Sequence, residues 1–245
     1  MIRPLIALLV LALAQDPPKP KTPDKPQEPK KETEAEALLK KIEEKATKAK
    51  SLTYKSKMTM TLKGKEVTFE GEGSLKEGNK AKVSFAGDLG GMTMEVSVVS
   101  DGSKMHVEGG GPGGATDETV DAPKDLAEGL RICVVRVGAI VAMSFTDKNH
   151  KEKGTSFKEL AVVSNLRIEK DEKVGDRAAK VLTFSLEIED DKNVGDVKLW
   201  VDAETLAPLK RELTGGRGET MVEIFSEWKL DVELKDDLFK LPKEK

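Results

Sequence analysis

Few side chains in this 245-residue sequence could carry out catalytic or metal-binding chemistry. The only two histidines, His106 and His150, lie far apart in polar surroundings. A zinc or iron site needs several imidazole or thiolate ligands. A serine–histidine–acid triad would have to recruit one of these histidines with no group to orient it, and the sequence has no Gly-x-Ser-x-Gly motif. We therefore expect no metal, no cofactor and no catalytic residue.

The cysteine and the acidic residues indicate the same. Cys133 lies inside the apolar run Ile132–Val135, which favours a buried, inert thiol over an exposed nucleophile. The acidic run Glu187–Asp191, with Asp196 after it, lacks the spacing of a calcium-binding loop and is typical of a solvated strand end. Carboxylates are so abundant that none can be selected as an acid–base pair. The sequence thus predicts a non-enzymatic protein, and a secreted hydrolase is the weaker alternative.

The first 32 residues have the composition of an export signal followed by a linker. A basic residue, the apolar run Leu5–Leu13 and the triplet Ala12-Leu13-Ala14 predict a signal peptide over residues 1–14, cleaved after Ala14. The apolar run has about ten residues, and a membrane-spanning helix needs ~20, so an uncleaved anchor is the less favoured alternative. Residues 15–32 are rich in proline and lysine and predict a disordered linker. We expect a periplasmic or secreted protein.

The charge and length of the chain limit its partners and its organisation. The formal net charge is −3, and no stripe of basic residues interleaved with aromatic ones is present, so we expect no nucleic-acid partner. Residues 33–245 suffice for one domain with a single core, which we expect to be a monomer.

Two segments have the pattern of helices. Thr33 and Glu36 form a capping box that opens a helix to about Lys50, with one apolar stripe on a surface of lysine and glutamate. The segment Pro123–Phe145 is the most apolar part of the chain after residue 14. It has helical spacing, but it is too short and interrupted to cross a membrane. Because most of its sides are apolar, we expect it to be covered on most sides.

The other segments alternate apolar and polar residues, which is the period of half-buried strands. About five strands precede the second helix and about five follow it, with turns at Asp101-Gly102, Gly175-Asp176, Asn193–Asp196 and Asp202–Thr205. A strand of about twelve residues spans roughly 40 Å, and strands that long must curve. We expect an α+β, mainly β fold: a curved antiparallel incomplete β-barrel of about 10–11 strands, with helices covering its open concave side.

Three motifs resemble those of one known family. Trp200–Pro208 has the order strand, Asp, turn, Leu, Pro. Leu230–Pro242 contains Asp237-Leu-Phe239 before its final proline, and Ser100-Asp-Gly102 precedes a short strand. These motifs, and the order of elements over residues 34–242, resemble the lipoprotein-carrier superfamily (LolA/LolB-like). The resemblance implies an incomplete antiparallel barrel with helices plugging its open side, and an apolar cavity that holds the acyl chains of lipids or lipoproteins.

The resemblance and the alternating pattern together define a candidate ligand cavity. The chain has two Trp, one Tyr and seven Phe, so methionines stand where aromatic walls would be expected. Methionine adapts to irregular apolar shapes, which suits a pocket and a packed core equally, and core is the favoured reading for any one methionine. No arginine can be equated with the residue that fastens the lid of the carriers. The candidate lining residues are Met58, Met60, Phe69, Phe85, Met94, Val96, Leu126, Leu130, Val137 and Leu199.

The leading hypothesis is an exported, non-enzymatic carrier-like domain that binds an acyl chain, a lipid or a lipoprotein. Each buried methylene group contributes about 0.8 kcal/mol, so an acyl chain could bind without a conspicuous polar motif. Transient contact with a membrane or an envelope protein would accompany such a role. The alternative is an envelope sensor or adaptor domain of the same fold that binds a protein partner.

Overall fold

A computed structural model describes residues 32–62, 64–88, 91, 93–110, 115–139, 161–188, 191–215 and 219–242. The predicted signal peptide and all but the last residue of the predicted linker lie outside these ranges. Residues 140–145 of the predicted second helix and His150 also lie outside them. Neither helix within these ranges is long and apolar enough to cross a membrane.

The described strands form one antiparallel sheet of eleven strands. Their order across the sheet is β6-β5-β4-β3-β2-β1-β11-β10-β9-β8-β7, and the sheet is not closed into a barrel. This architecture confirms the predicted incomplete barrel. In chain order, β1 to β11 are Ser51–Leu62, Lys65–Lys76, Lys80–Asp88, Thr93–Asp101, Lys104–Gly110, Thr116–Asp121, Ala161–Val174, Arg177–Ile188, Asp191–Asp202, Pro208–Thr214 and Thr220–Leu230.

Two helices cover one face of the sheet. Helix α1, Glu34–Lys48, opens at the predicted capping box. The Thr33 hydroxyl accepts a hydrogen bond from the Glu36 amide at 3.2 Å, and the Glu36 carboxylate accepts one from the Thr33 amide at 2.7 Å. Helix α2, Leu126–Arg136, contacts α1, β2, β3 and β7. The helices therefore lie where the sequence places them, over the concave side.

The second helix begins at Leu126, so the predicted start at Pro123 is wrong. Asn79, in the turn between β2 and β3, binds both sides of this junction. Its side-chain amide donates to the Pro123 carbonyl at 2.7 Å, and its carbonyl oxygen accepts from the Ala127 amide at 2.9 Å. The orphan amide of the first helical turn is thus satisfied by a distant loop, which periodicity in the segment itself cannot show.

The described helix ends at Arg136, so the single continuous helix predicted over Pro123–Phe145 is also wrong at this point. Gly138 has a φ of 101°, which lies outside the α region and which glycine adopts without steric cost. A left-handed glycine just beyond the last turn is a common way for a helix to end.

Three predictions about the strands need correction. Strand β6 has no apolar alternation, since its residues alternate only between half-buried and exposed, and so the alternating pattern does not predict it. The apolar alternation predicts a strand over Leu160–Ile168, but β7 continues to Val174, because its charged second half pairs with β8. The turn predicted at Asn193–Asp196 is wrong because these residues lie inside β9, where Asp191 already pairs with Ile188.

The two faces of the sheet differ in what covers them. In β9, Leu199 belongs to the large apolar cluster beneath the helices, whereas Trp200 lies in a smaller cluster on the opposite face. The ammonium groups of Lys198 and Lys210 lie 4.7 and 4.5 Å from the Trp200 ring centroid, and Glu172 accepts from its indole N–H at 2.8 Å. The main core therefore lies on the face that α1 and α2 cover.

The predicted turn after β9 is confirmed, and one carboxylate organises it. Asp202 Oδ1 accepts hydrogen bonds from the Thr205 amide and hydroxyl, both at 2.7 Å, and its Oδ2 accepts from Arg177 Nε at 2.9 Å. Burial alone would raise the pKa of the Asp202 carboxyl, but these hydrogen bonds and the Arg177 charge outweigh it and lower the pKa to about 2.

We predict a pH-dependent loss of stability from this turn. A carboxyl whose pKa is lower in the folded chain stabilises the fold above its unfolded pKa of about 4, and this contribution is lost as the pH falls through about 2. Asp202→Asn should therefore be less stable than the wild type by about 1 kcal/mol at pH 7, and the difference should shrink between pH 4 and pH 2. Urea unfolding at pH 7, 4, 3 and 2 measures this. A difference that stays constant over the four values would contradict the assignment.

Candidate functional site

The ten residues predicted to line a cavity lie together in one apolar cluster on the covered face. They come from β1 to β4, from α2 and the residue after it, and from β9. Their exposed fractions lie between 0 and 6%. Met58 of β1 pairs directly with Phe69 of β2, and the Phe69 ring meets the Phe85 ring edge to face at 6.2 Å between centroids. The ten residues selected from the sequence pattern therefore lie close together in the folded chain.

The protein also has clefts at other places, away from most of the ten residues. We consider those whose lining residues all lie in the described ranges. Three of them have volumes of about 710, 550 and 540 Å³. Phe85 lines the second, and the other nine predicted residues line none of the three. The ten residues as a group thus form the wall of none of these three clefts.

Three arginines hold α2 in place, and the first is Arg131, which lies within it. Its guanidinium is 4% exposed and donates to the Ala46, Thr47 and Ala49 carbonyls at the end of α1 and to the Leu75 carbonyl of β2. The last carbonyls of a helix have no intrahelical partner, and a cation there also suits the helix dipole. Arg131 thus joins α2 to α1 and to the sheet.

The second arginine, Arg136, forms a two-pronged ion pair with α1. Its Nε and Nη2 donate to the two carboxylate oxygens of Glu43 at 2.6 and 3.0 Å, and its Nη1 donates to the Ala161 carbonyl of β7 at 2.7 Å. Both side chains are mostly buried, at 17 and 16% exposed. Such bidentate pairs fix geometry as well as charge.

The third arginine, Arg211 of β10, approaches α2 from the sheet. It pairs with Glu223 of the neighbouring strand β11 at 2.9 Å and donates to the Val134 and Val135 carbonyls. Glu223 in turn accepts from the Ala139 amide at 3.1 Å. Burial raises the pKa of the Glu223 carboxyl, and the Arg211 charge opposes this. One buried ion pair thus satisfies backbone groups on both sides of the end of α2.

Gly138 is necessary for this arrangement. A Cβ atom at residue 138 would lie 2.4 Å from a Glu223 carboxylate oxygen and 2.6 Å from an Arg211 nitrogen. The buried pair and the left-handed glycine therefore require each other. Spacing alone does not reveal the three arginines, but the glycine inside an otherwise apolar helical segment is the signal that could have located the third.

Cys133 and His106 are the described side chains that were considered for catalysis, and their surroundings differ from each other. Burial raises the pKa of the Cys133 thiol to about 12, so the thiol stays protonated at neutral pH, in agreement with the predicted inert role. His106 is only 7% exposed, but the groups beside its ring are polar, as predicted. Its Nδ1 lies 3.1 Å from the Thr119 hydroxyl and its Nε2 lies 3.6 Å from the Asp117 carboxylate. Groups that orient this ring are therefore present, which corrects the expectation of none.

Within the ranges given above, no group of three or more His, Cys, Asp or Glu side chains could hold a metal ion. The site that the described residues support is instead an apolar cluster between a sheet and two helices. Its polar contacts hold a helix in place and leave the apolar side chains to each other.

No protein-family model matches the sequence, and no curated protein matches it. Solved structures similar to it include MucB from a Pseudomonas aeruginosa MucA/MucB complex, with 17% identity, 86% of this chain and 62% of that chain covered, and a TM-score of 0.45. LprF from Mycobacterium bovis has 11% identity, with 80% of this chain and 92% of that chain covered and a TM-score of 0.45. A LolA superfamily protein from Nitrosomonas europaea has 15% identity, with 84% of this chain and 97% of that chain covered and a TM-score of 0.34.

This chain thus spans less than two thirds of the length of the MucB chain. The protein from Nitrosomonas europaea carries the name of the superfamily that the sequence motifs resemble. All three identities are below 20% and all three TM-scores are below 0.5. The functional interpretation therefore depends on the chain's own residues.

Proposed function

We propose that this chain is an exported, non-enzymatic carrier-like domain that binds an acyl chain, a lipid or a lipoprotein beneath α2. The observation that carries the proposal is the apolar cluster of the ten residues, which lies on the covered face of an open sheet. A sheet that is not closed has to shield its apolar face with something other than strands. Here two helices provide that cover, and a cover that is not part of the sheet can move without breaking a strand pair.

The composition of α2 supports a role as a cover. Nine of its eleven residues are buried, including Leu126, Leu130 and Cys133. Moving it away would expose an apolar patch larger than a monomer usually tolerates. An open form therefore needs something apolar in place of the helix, and a flexible acyl chain contributes about 0.8 kcal/mol per buried methylene group.

The contacts that hold α2 set the cost of opening. Arg131, Arg136 and Arg211 fasten it through hydrogen bonds to backbone carbonyls and through two ion pairs. Each hydrogen bond makes a net contribution of about 0.5–1.5 kcal/mol to stability, so full removal of the helix requires a large free energy. We therefore expect a ligand to enter by partial displacement of α2 and of the flexible methionines Met58, Met60 and Met94.

Titration with a fluorescent fatty acid tests the proposal. We expect saturable binding of about one probe per monomer, with unlabelled fatty acid displacing it. Leu130→Asp should abolish binding, because an unpaired charge in the lining is costly to desolvate. Ile224→Asp is the matched control, since Ile224 is 49% exposed on the outer face and should bind as the wild type does. If Leu130→Asp does not fold, Leu130→Thr replaces it, with weaker binding expected.

Hydrogen exchange of the α2 amides locates the site. We expect bound fatty acid to change exchange in α2 more than in β6, which contributes none of the ten residues. Absence of saturable probe binding by the wild type would overturn the carrier proposal and favour the alternative, a domain that binds a protein partner. N-terminal sequencing of the exported protein tests export separately, with cleavage expected after Ala14.

A further inference from the structure

The largest of the three clefts, about 710 Å³, lies between α1 and the turn that joins β9 to β10. Its apolar residues are not isolated, because Leu38, Leu206 and Leu230 also pack against the main apolar cluster. The cleft thus has an apolar floor that continues into the covered face of the sheet.

Four lysines and three acidic residues line this cleft. Lys48 pairs with Glu44 at 2.7 Å, and the Asp231 carboxylate accepts a hydrogen bond from the Lys50 amide at 2.8 Å. The Lys45 ammonium group donates to the Thr205 carbonyl at 2.7 Å, across the cleft, and forms no ion pair within the described residues. Beyond the Lys48–Glu44 pair, three lysines and two carboxylates remain at the rim, so its balance of charge is slightly positive.

The side chains of two of these lysines, Lys41 and Lys180, form no ion pair or hydrogen bond in the described part of the chain. Lys41 lies on α1 and Lys180 lies on β8, so they approach the cleft from a helix and from the sheet. Long lysine side chains can lay their methylene stems along an apolar floor and keep the ammonium group at its edge. Both are thus available to an anion whose chain lies on that floor.

Backbone strain also falls at this cleft. Leu206 has a φ of 59°, a region that bulky residues rarely adopt, whereas Asp231 has a φ of 56°, which aspartate tolerates. These are two of the four non-glycine residues with positive φ in the described ranges. Strained residues of this kind gather at functional sites and persist where the surroundings hold them. Leu206, the bulkier of the two, also lines the cleft with an apolar side chain.

We propose that this cleft binds the negatively charged headgroup of an acyl ligand, with Lys41 and Lys180 as its contacts and the floor of Leu38, Leu206 and Leu230 beneath its chain. This inference rests on the proposed function and adds to it the charge of the ligand and the place of its charged end. The domain is then selective for anionic amphiphiles over neutral ones with the same chain.

Two probes with the same polyene chain, one with a charged and one with a neutral headgroup, test this: cis-parinaric acid and its methyl ester. We expect the wild type to bind the acid more tightly than the ester. Lys41→Gln/Lys180→Gln should weaken binding of the acid by about 3- to 20-fold, the range expected for the loss of two exposed charge contacts, and leave the ester unchanged. Raising the NaCl concentration from 0.05 to 0.5 M should reduce the preference, because salt screens exposed charges.

Two further variants serve as controls. Lys40→Gln removes a lysine of α1 that pairs with Glu32 and does not line the cleft, so it should bind both probes as the wild type does. Glu204→Gln removes a negative charge from the rim and should strengthen binding of the acid. Circular dichroism spectra of all variants should match that of the wild type, since the changed side chains lie at the surface.

The outcomes separate the two proposals. Equal binding of acid and ester by the wild type, or an equal loss of both in the double variant, would overturn the headgroup proposal and leave the carrier function standing. An equal loss with Lys40→Gln would show that only the overall charge matters and would also overturn it. Binding of neither probe would overturn both proposals.

Discussion

Replacing Glu223 with leucine should lower the free energy of unfolding by about 3–5 kcal/mol, since breaking a buried pair leaves an uncompensated charge in the interior. The Arg211 side chain is 2% exposed, so bulk solvent has little access to it. The Ala139 amide would also lose its acceptor. Urea unfolding at pH 7 measures the loss. We expect it to exceed that of any single replacement of an exposed carboxylate.

The double variant Arg211→Met/Glu223→Leu should recover a large part of this loss. Replacing a buried ion pair with apolar side chains of similar volume is often close to neutral. The Val134 and Val135 carbonyls would still lose their donor, at about 1–3 kcal/mol, so recovery should be incomplete. Glu227→Gln, in an exposed pair on the same strand, is the control and should change stability by less than about 1 kcal/mol. A double variant less stable than Glu223→Leu would show that the pair is not what holds this end of α2.

Phe69→Ala should destabilise the protein by about 3–5 kcal/mol, the cost of removing a buried aromatic ring and leaving a cavity. Phe69 has an exposed fraction of 0% and packs edge to face against Phe85. Thermal unfolding gives the loss. Ile224→Ala, on the outer face, is the control and should change stability by about 0.5 kcal/mol or less.

The same variant distinguishes a packed core from a ligand pocket. In a packed core the cavity should be new, and benzene should stabilise Phe69→Ala but not the wild type, because a ligand that binds only the folded state raises its stability. In a pocket that already admits apolar ligands, benzene should stabilise both proteins. A loss of less than about 1 kcal/mol for Phe69→Ala would contradict the close packing of this ring.

Local chemistry in the sequence predicts much of this fold. The Thr33 and Glu36 capping box specifies the start of α1, because a helix start depends on a few adjacent groups. The alternation around Leu199 and Trp200 assigns the two faces of β9 correctly. The strand alternation and the helical spacing of α2 together select ten candidate residues that lie in one cluster. These features have in common that their cause lies within a few residues of their effect.

The features that escape prediction depend on residues far apart in the chain. Asn79 satisfies the start of α2 from 48 residues earlier, and Arg211 reaches its end from 77 and 76 residues later. Strand β6 has too little apolar content to show a period. The ion pairs that fasten α2 could not be derived from any single segment, since charged residues are abundant and only the fold decides which of them meet.

The order of the strands has a kinetic consequence. Of the ten described strand pairings, nine join strands that follow each other in the chain, and β1–β11 alone joins its two ends. Hairpins between neighbours close short loops and form quickly, whereas pairing Leu52 with Leu230 requires closure of nearly the whole domain. The two meanders, β1 to β6 and β7 to β11, can therefore form independently. We expect the pairing of β1 with β11 to limit the rate of folding. Until β1 pairs with β11, both are unpaired edge strands. These are the edges at which two incompletely folded chains would pair with each other, instead of each chain pairing its own β1 with its own β11.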